Sequence, residues 1–506
     1  MAEDKGLEGV QIAFVSGAMP DDDIRLRGVW GRERLSRLFE FDLVLSRAAG
    51  PFSDEQLDDL LKAPCAVALG PRPGDVVHGL LERIELIDST RNVAARYFAR
   101  LVPTTWLLTL ARSNRVYQAT TIPAMVEQIL TSYGLSKGKD FDILVSGPAP
   151  EREYIVQYQE SDWDFIQRWL EHEGYFYWFS HDAEGEKLVI ADENVDATAI
   201  DDPKTISYRE RNNISSGRIA TIWSWNLLQK RIAARVSVFD YNYRTPHVAL
   251  VASADADTQR GFGSVFYYGE HFKDVDQGKR VAKLRAERIL CERRTYTART
   301  DCSRFRVGHR FELENHHDAA NDGPYLITAI EHRVGQPFRT PWAAGGGFGE
   351  AADDIGAMPQ RYLSRFEAIP FEVQFRPERV TPGPRIHGIL HAHIDADTSG
   401  DYAQIDELGR YRVRLPFDSS GRQGSSASRW IRLAQPYAGA GYGSHFPLHK
   451  GTEVLLAHID GDPDRPIIVG SVPNPHTISP ATSANATQSV VNTASGIRIE
   501  MEDLQS

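Results

Sequence analysis

The chain has 506 residues, more than a single hydrophobic core can serve, so several domains are expected. Hydrophobic residues make up 42% and charged residues 25%, a globular balance, and no apolar run approaches the roughly 20 residues of a membrane-spanning helix. Asp plus Glu (69) outnumber Lys plus Arg (57), and the net charge of −12 argues against a protein that coats nucleic acid. Three cysteines, Cys65, Cys291 and Cys302, give neither a disulfide framework nor a CxxC metal pattern, and are expected to be buried free thiols. The N-terminus, MAEDKGLEG, is acidic and lacks a signal-peptide pattern. The expectation is a chain made in the cytosol that leaves the cell, if it does, by another route than general secretion.

In chain order, Gln11 to Val15 and Leu38 to Leu45 read as strands. The second sets Phe39, Phe41, Leu43 and Leu45 on one face and Glu40 and Asp42 on the other. Ser53 and Gln56 have capping-box spacing ahead of a short helix with Leu57, Leu60 and Leu61 on one face, ended by Pro64. Strands follow at Ala66 to Leu69, Val76 to Leu86 and Ala94 to Pro103. Long strand runs with short turns point to an antiparallel β-rich domain. Thr121 caps a second helix, with Pro123 in its first turn and Gly134 past its end. In REYIVQYQESDWDFIQRWLEHEGYFYWF, Ser161 and Asp164 cap a third helix, whose inner face carries Trp163, Ile166, Trp169 and Leu170. Gly174 stops it, and Tyr175 to Phe179 form an aromatic strand. A longer helix runs from Asp276 to about Arg293 with Val281, Leu284 and Ile289 inward. The Gly-rich run Ala343 to Pro359 reads as a surface loop, and Pro377, Pro382 and Pro384 mark the main domain boundary.

From Ile405 to Asn474 the strands are short and the turns rich in Gly and Asp. Tyr411, Val413 and Leu415 alternate with Arg412 and Arg414. Trp430 to Leu433, Glu453 to His458 and Arg465 to Val469 are further strands. This spacing predicts a small closed barrel of OB type. After Pro480 the chain is small and polar, and then Ile497, Ile499 and Met501 alternate with Arg498, Glu500 and Glu502. A lone strand with one apolar face cannot bury that face by itself.

Candidate chemistry is sparse. Glu160, Asp162, Asp164, Glu171 and Glu173 offer carboxylates for acid–base work. However, Asp162 and Asp164 sit in a helix first turn, where the dipole favours them, and a structural role is the stronger reading. His391, His393 and Asp395 share one face of a strand, with His387 upstream, which a metal could use. An exposed barrel strand is the simpler account. His316 and His317 read as a solvated turn. The acidic turn at Asp462, Pro463 and Asp464 could hold Ca²⁺, but fits a tight turn between barrel strands better. The glycines of AGAGYGSH lack the Lys and following helix of a phosphate loop, and no GxSxG, P-loop or HExxH is present. No catalytic residue, cofactor or nucleic-acid partner is assigned.

Several of these stretches, taken together, carry a resemblance. IDELGRYRV, SRWIRLAQPYAG, GDPDRP and IIVGSVPN resemble the OB segment of the VgrG family, the hub and spike proteins of type VI secretion and related contractile injection machines. REYIVQYQESDWDFIQRWLEHEGYFYWF resembles its hub, VWGRERLSRLFEFDLVL its opening, and RYLSRFEAIPFEVQFRPERVTPGPRIHG the lead into its barrel. The resemblance implies an α+β, β-rich chain in three parts. Residues 1–376 would be a hub like that of a phage baseplate, with two β-barrel subdomains and helical insertions. Residues 377–475 would be an OB-fold spike base, and 476–506 the start of an intertwined three-chain β-shaft. Here the chain stops at Ser506 before any valine–glycine repeat, so the shaft is expected to be cut short or its point supplied elsewhere. The implied function is mechanical and not enzymatic: a homotrimer on an inner tube of Hcp-like rings, contacting baseplate proteins, carrying a tip protein or effector, and driven through a target membrane. It would be cytoplasmic when assembled, then injected or secreted. Trp163, Trp169, Gly174, Trp430, Ile431, Asp462 and Pro463 are the expected structural anchors, and Ile497, Ile499 and Met501 the expected trimer packing. The alternatives are a delivered cell-wall hydrolase and a monomeric OB-fold binding module.

Overall fold

The computed structural model describes residues 12–70, 75–88, 94–147, 149–200, 205–210, 220–335, 362–396, 400, 402–420 and 428–503. The extreme N-terminus and the Gly-rich run Ala343 to Pro359 lie outside the described residues. The chain forms two compact units. The first comprises Met1–Leu110, Ile122–Ala149 and Ile166–Thr381. The second comprises Ala111–Thr121, Pro150–Phe165 and Pro382–Ser506.

The first unit is built on a long, mostly antiparallel sheet. Its N-terminal half runs in the order Ala13–Ser16, Pro64–Ala68, Val76–Asp88, Ala95–Val102, Glu40–Arg47, Ile24–Arg34, and then joins Gly323–Gly335. The strand Ile24–Arg34 is absent from the sequence-based reading because its IRLRGVWGRER pattern exposes a row of arginines. Its burial nevertheless alternates through Ile24, Leu26 and Val29. Gly323–Gly335 pairs with Leu363–Pro370, Arg294–Thr300, Thr221–Gln229, Thr205–Tyr208 and His309–Glu314 in turn. His309–Glu314 pairs back onto Gly323–Gly335, closing a six-stranded barrel. Closure leaves no free edge within this ring. Tyr296, Phe311, Leu313, Tyr325, Ile327, Phe366 and Ala368 fill it. A separate three-stranded sheet, Leu250–Asp255, Arg235–Asp240 and Ser264–Tyr268, buries Val236, Val238, Leu250 and Ala252 against the helix Val275–Cys291.

The longer helix, expected from Asp276 to about Arg293, instead runs Val275–Cys291 on an Asp274 cap whose carboxylate accepts from the Gln277 amide. The first and third helices follow their sequence signals. Ser53 and Gln56 form the expected reciprocal capping box on Asp54–Lys62. The helix Asp162–Glu173 starts on Ser161, whose Oγ accepts from the Asp164 amide at 3.0 Å. It ends at Gly174, whose φ is +76°, with the Tyr175 amide returning to Leu170 O at 2.9 Å. Cys65, Cys291 and Cys302 are buried free thiols.

In the second unit, five antiparallel strands run in the order Ser428–Ile431, Tyr411–Arg414, Ile389–Asp395, Glu453–His458, Pro466–Ser471. A parallel bridge from Leu433 to Ile468, with the Ala434 amide donating to Ile468 O at 2.8 Å, joins the two ends into the small barrel that the spacing predicted. Its core holds Ile394, Tyr411, Val413, Leu415, Ile431, Val454, Leu456 and Ile468. Val116, Tyr154 and Val156, from the paired strands Arg112–Thr120 and Arg152–Ser161, pack into the same core. The fold class is therefore the expected one: β-rich with minor helix, holding an OB-type barrel.

Candidate assembly surfaces

The carboxylates around the third helix serve as structural anions. Asp162 is fully buried and accepts from Gln157 Nε2 at 2.6 Å, with Arg115 at 3.4 Å. Asp164 pairs with the Ser161 cap at 2.7 Å. Glu173, also buried, holds Arg280 at 2.8 Å and lies 3.3 Å from His172 Nδ1. Glu171 accepts five hydrogen bonds, from Gln167, Arg37, the Val380 and Thr381 amides and the Thr381 hydroxyl, between 2.9 and 3.2 Å. Glu160 is buried as well. A general acid or base needs an open side toward substrate, and Asp162, Asp164, Glu171 and Glu173 are committed to internal partners.

The histidines divide. His391 is exposed on its barrel strand and donates Nδ1–H to Glu453 at 2.6 Å, while His393 stands opposite Glu453 and Arg414 in the register. Asn474 and then His391 hold the Glu453 carboxyl below the usual carboxylate range. Among the described residues, His391, His393 and Asp395 do not bring three ligand atoms within 4.8 Å of one another. His316 is buried rather than solvated. Its ring lies 4.1 Å from that of His317 and 4.5 Å from that of Tyr208, and its amide donates to Asp322. Adjacent Asn and Asp in the sequence suggested a wet turn, but Asn315 Nδ2 donates to Ser207 Oγ at 3.2 Å and the Asp318 carboxylate accepts from the Ala320 amide at 3.1 Å.

The acidic turn joins the barrel strands Glu453–His458 and Pro466–Ser471. The Asp464 amide donates to Asp462 Oδ1 at 2.9 Å, and the Asp464 carboxylate accepts from the Val156 amide at 2.7 Å. Asp460 takes a positive φ of 54° beside Gly461, and Pro463 rigidifies the next step. Trp163, Trp169 and Ile431 are buried. Trp430 is half-buried beneath Arg412, whose guanidinium lies 4.7 Å from its ring centre.

Among the exposed apolar surfaces of the described residues, two are hairpins. The first is the tail. The expected lone strand is instead one arm of a hairpin: Arg498–Glu502 pairs with Gln488–Asn492, placing Ile499 opposite Val491. The polar tract before it hides a Val-Val pair, and Thr493 to Gly496 make the turn, with Gly496 at φ +90°. Ile497, Ile499 and Met501 are 66%, 58% and 59% exposed. The second surface is the AGAGYG segment, which reads as bare glycines in the sequence. Ala438–Gly439 and Tyr442–Gly443 form a minute hairpin in which the Tyr442 ring lies directly on Gly439. A Cβ at Gly439 would sit 2.2 Å from that ring. The Tyr437 ring lies tilted beside that of Tyr442, centres 5.4 Å apart, and both, with Phe446, are exposed. The clue in the sequence is the glycine on each side of a tyrosine, which lets an aromatic ring lie on backbone. Single exposed apolar residues are ordinary, but a whole hairpin without a buried face is not.

Comparison with known proteins follows the same lines. The model of the phage tail baseplate hub (GPD) family matches residues 32–338, and that of the type VI secretion system/phage-baseplate injector OB domain matches residues 402–472. The chain is 29% identical over 494 residues to the type VI secretion system spike protein VgrG1c of Pseudomonas aeruginosa, covering 95% of this chain and 64% of that relative's length. The solved Escherichia coli c3393 protein, described as a component of the type VI secretion system structurally similar to T4 bacteriophage tail proteins gp27 and gp5, aligns with a TM-score of 0.65 at 23% identity. That match covers 91% of this chain and 99% of the other. The Francisella PdpA–VgrG complex aligns with a TM-score of 0.60 at 8% identity, over 98% of this chain and 83% of that one. At such identities these structures share the fold.

Proposed function

Because this chain belongs to the phage tail baseplate hub (GPD) family and is homologous to the VgrG spike proteins, we propose that it works as the homotrimeric base of a spike in a contractile injection machine of the type VI secretion kind. In this reading residues 1–376 are the hub, 377–475 the OB spike base and 476–506 the start of a shaft. The hub sits on an inner tube of Hcp-like rings among baseplate proteins. Contraction drives the spike through a target membrane, with a tip protein or effector at its end. The protein assembles in the cytoplasm and is then injected or secreted. Its role is mechanical, and no bond is made or broken.

The observation that carries the reading is the tail hairpin. It exposes Val491, Ile497, Ile499 and Met501 in a single chain, and two strands alone are marginal in water. Three copies around a shared axis cover such faces with one another, and obligate interfaces commonly bury on the order of 2,000 Å² or more. The exposed Tyr437, Tyr442 and Phe446 supply aromatic contact area of the kind enriched at interfaces. Light scattering coupled to gel filtration, with the chain at micromolar concentration, tests this. The expected mass is three times the 56.7 kDa chain. A folded monomer whose tail amides exchange freely at every concentration would overturn it.

A further inference from the structure

The carboxylate of Glu171 stands where a helix least favours one. It lies in the last turn of Asp162–Glu173, at the negative end of the helix dipole, and is 2% exposed. Dipole and desolvation both oppose a charge there, so its five donors have to offset a double penalty. Two donors, Gln167 at 2.9 Å and Arg37 at 3.2 Å, come from the body of the first unit. The other three come from two consecutive residues of one extended segment. The Val380 amide, the Thr381 amide and the Thr381 hydroxyl each lie 3.0 Å from a Glu171 oxygen.

That segment, residues 376–381, is the last stretch of the first unit before the chain leaves it at Thr381. It belongs to no helix or strand. It is tied down throughout by charge instead. Arg376 Nε donates to Glu287 at 2.7 Å, and its NH1 donates to Gly174 O at 3.1 Å, just past the end of the same helix. Arg379 donates at 2.6 Å to Glu270, itself buried and held at 2.7 Å by Arg285. Arg285 in turn donates to His172 O at 3.0 Å, so Arg376, through Gly174, and Arg379, through Glu270 and Arg285, both connect to the end of the helix that carries Glu171. Charge-assisted bonds are the stronger kind of hydrogen bond, and here three anchors recur within six residues.

We propose that Glu171 is a positioning residue, the clasp of a strap at residues 376–381 that prevents the exit of the first unit from peeling away when the chain beyond it is pulled or pushed. The strap is a matter of local geometry. Its force-carrying purpose rests on the spike reading above.

The test is hydrogen exchange on the full-length protein in its assembled state, following the Val380 and Thr381 amides in wild type, Glu171→Ala and Glu171→Gln. In wild type both amides are slow. In Glu171→Ala they exchange at least tenfold faster, while the strands Arg294–Thr300 and Leu363–Pro370 keep their protection. Glu171→Gln, which retains one acceptor oxygen, falls between. Thr381→Val, which removes one donor and no charge, gives a smaller acceleration, and carries the test where Glu171→Ala does not fold. Free exchange of these amides in wild type, or unchanged protection in both Glu171→Gln and Thr381→Val, overturns the clasp. The second readout is release of the tube protein by cells carrying the same variants, expected to drop several-fold although the variant still assembles. Faster exchange with undiminished release overturns the force-carrying purpose and leaves the spike reading standing. A wild type that never assembles overturns the spike reading, and the same exchange measurement on the unassembled full-length chain then decides the clasp by itself.

Discussion

Glu33, His332 and Tyr362 form a relay sealed inside the first unit. His332 Nε2–H donates to Glu33 at 2.7 Å, and the Tyr362 hydroxyl donates to His332 Nδ1 at 2.6 Å, with Arg306 Nε 3.7 Å from the carboxylate. Burial alone would raise the Glu33 carboxyl, but the His332 hydrogen bond and the His332 and Arg306 charges bring it down to about 2. Burial holds His332 below its ordinary value. Tyr362→Phe leaves His332 Nδ1 without its donor and is expected to cost about 1–3 kcal/mol in chemical denaturation. His332→Ala leaves Glu33 facing Arg306 alone, with an expected cost of about 3–5 kcal/mol.

The same burial gives the protein a pH profile. Burial drives His181 down to about 3; its Nδ1 accepts from the His78 amide at 3.2 Å. An unfolded histidine takes its proton near 6.5. Between pH 6.5 and 3 the unfolded chain therefore holds the extra proton at His181, and stability falls as pH falls. His332 acts in the same direction, and Glu33 adds to the loss as pH drops from about 4.5 through 2. Glu186 opposes them. Burial raises it to about 7, so it is stabilising below about 4.5 and loses that contribution as pH rises toward 7. Thermal midpoints of wild type are expected to fall below pH 6.5 and more steeply below 4.5. Glu186→Gln is expected to raise the midpoint at pH 8 more than at pH 5; an equal shift at both would refute the assignment.

At the scale of elements, the third helix shows how one residue sets a boundary. Gly174 takes φ +76°, and a Cβ there would lie 2.9 Å from Leu284 Cδ2. Gly174→Ala combines about 1–2 kcal/mol of left-handed strain with that overlap, and the expected result is a lower denaturation midpoint with an unchanged slope. Glycine sets boundaries elsewhere too: Gly308, at φ +78°, lies against the Trp178 ring, where a Cβ would come within 2.5 Å. The amphipathic helices and the hydrophobic strands were legible because each carries its burial in its own periodicity. The strands Ile24–Arg34 and Arg112–Thr120 were not, because their polar side chains make the pattern and their partners Gly323–Gly335 and Arg152–Ser161 lie outside any local window.

For the whole molecule, the exposed tail predicts that stability depends on protein concentration, as it does for any assembly whose subunits stabilise one another. Ile499→Asp is expected to change the isolated chain's stability by less than about 0.5 kcal/mol, since the position is exposed. It is also expected to abolish the trimer and, with it, the rise of thermal midpoint with concentration. A trimer that tolerates the substitution would count against the tail as the packing surface.

The sequence by itself determined the β-rich class, the barrel strands from Tyr411 to Ser471, the Ser53 and Ser161 caps and the family, because alternation, capping residues and turn chemistry are local and survive in one dimension. Tertiary structure alone decided the closure of the six-stranded barrel through Gly323–Gly335, the joining of Val116, Tyr154 and Val156 to a core hundreds of residues away, and the fate of the acidic residues. Glu171 illustrates the reason. A carboxylate's role depends on which donors surround it, and four of its five donors come from Arg37, Val380 and Thr381, residues far along the chain that only folding brings within 3.2 Å.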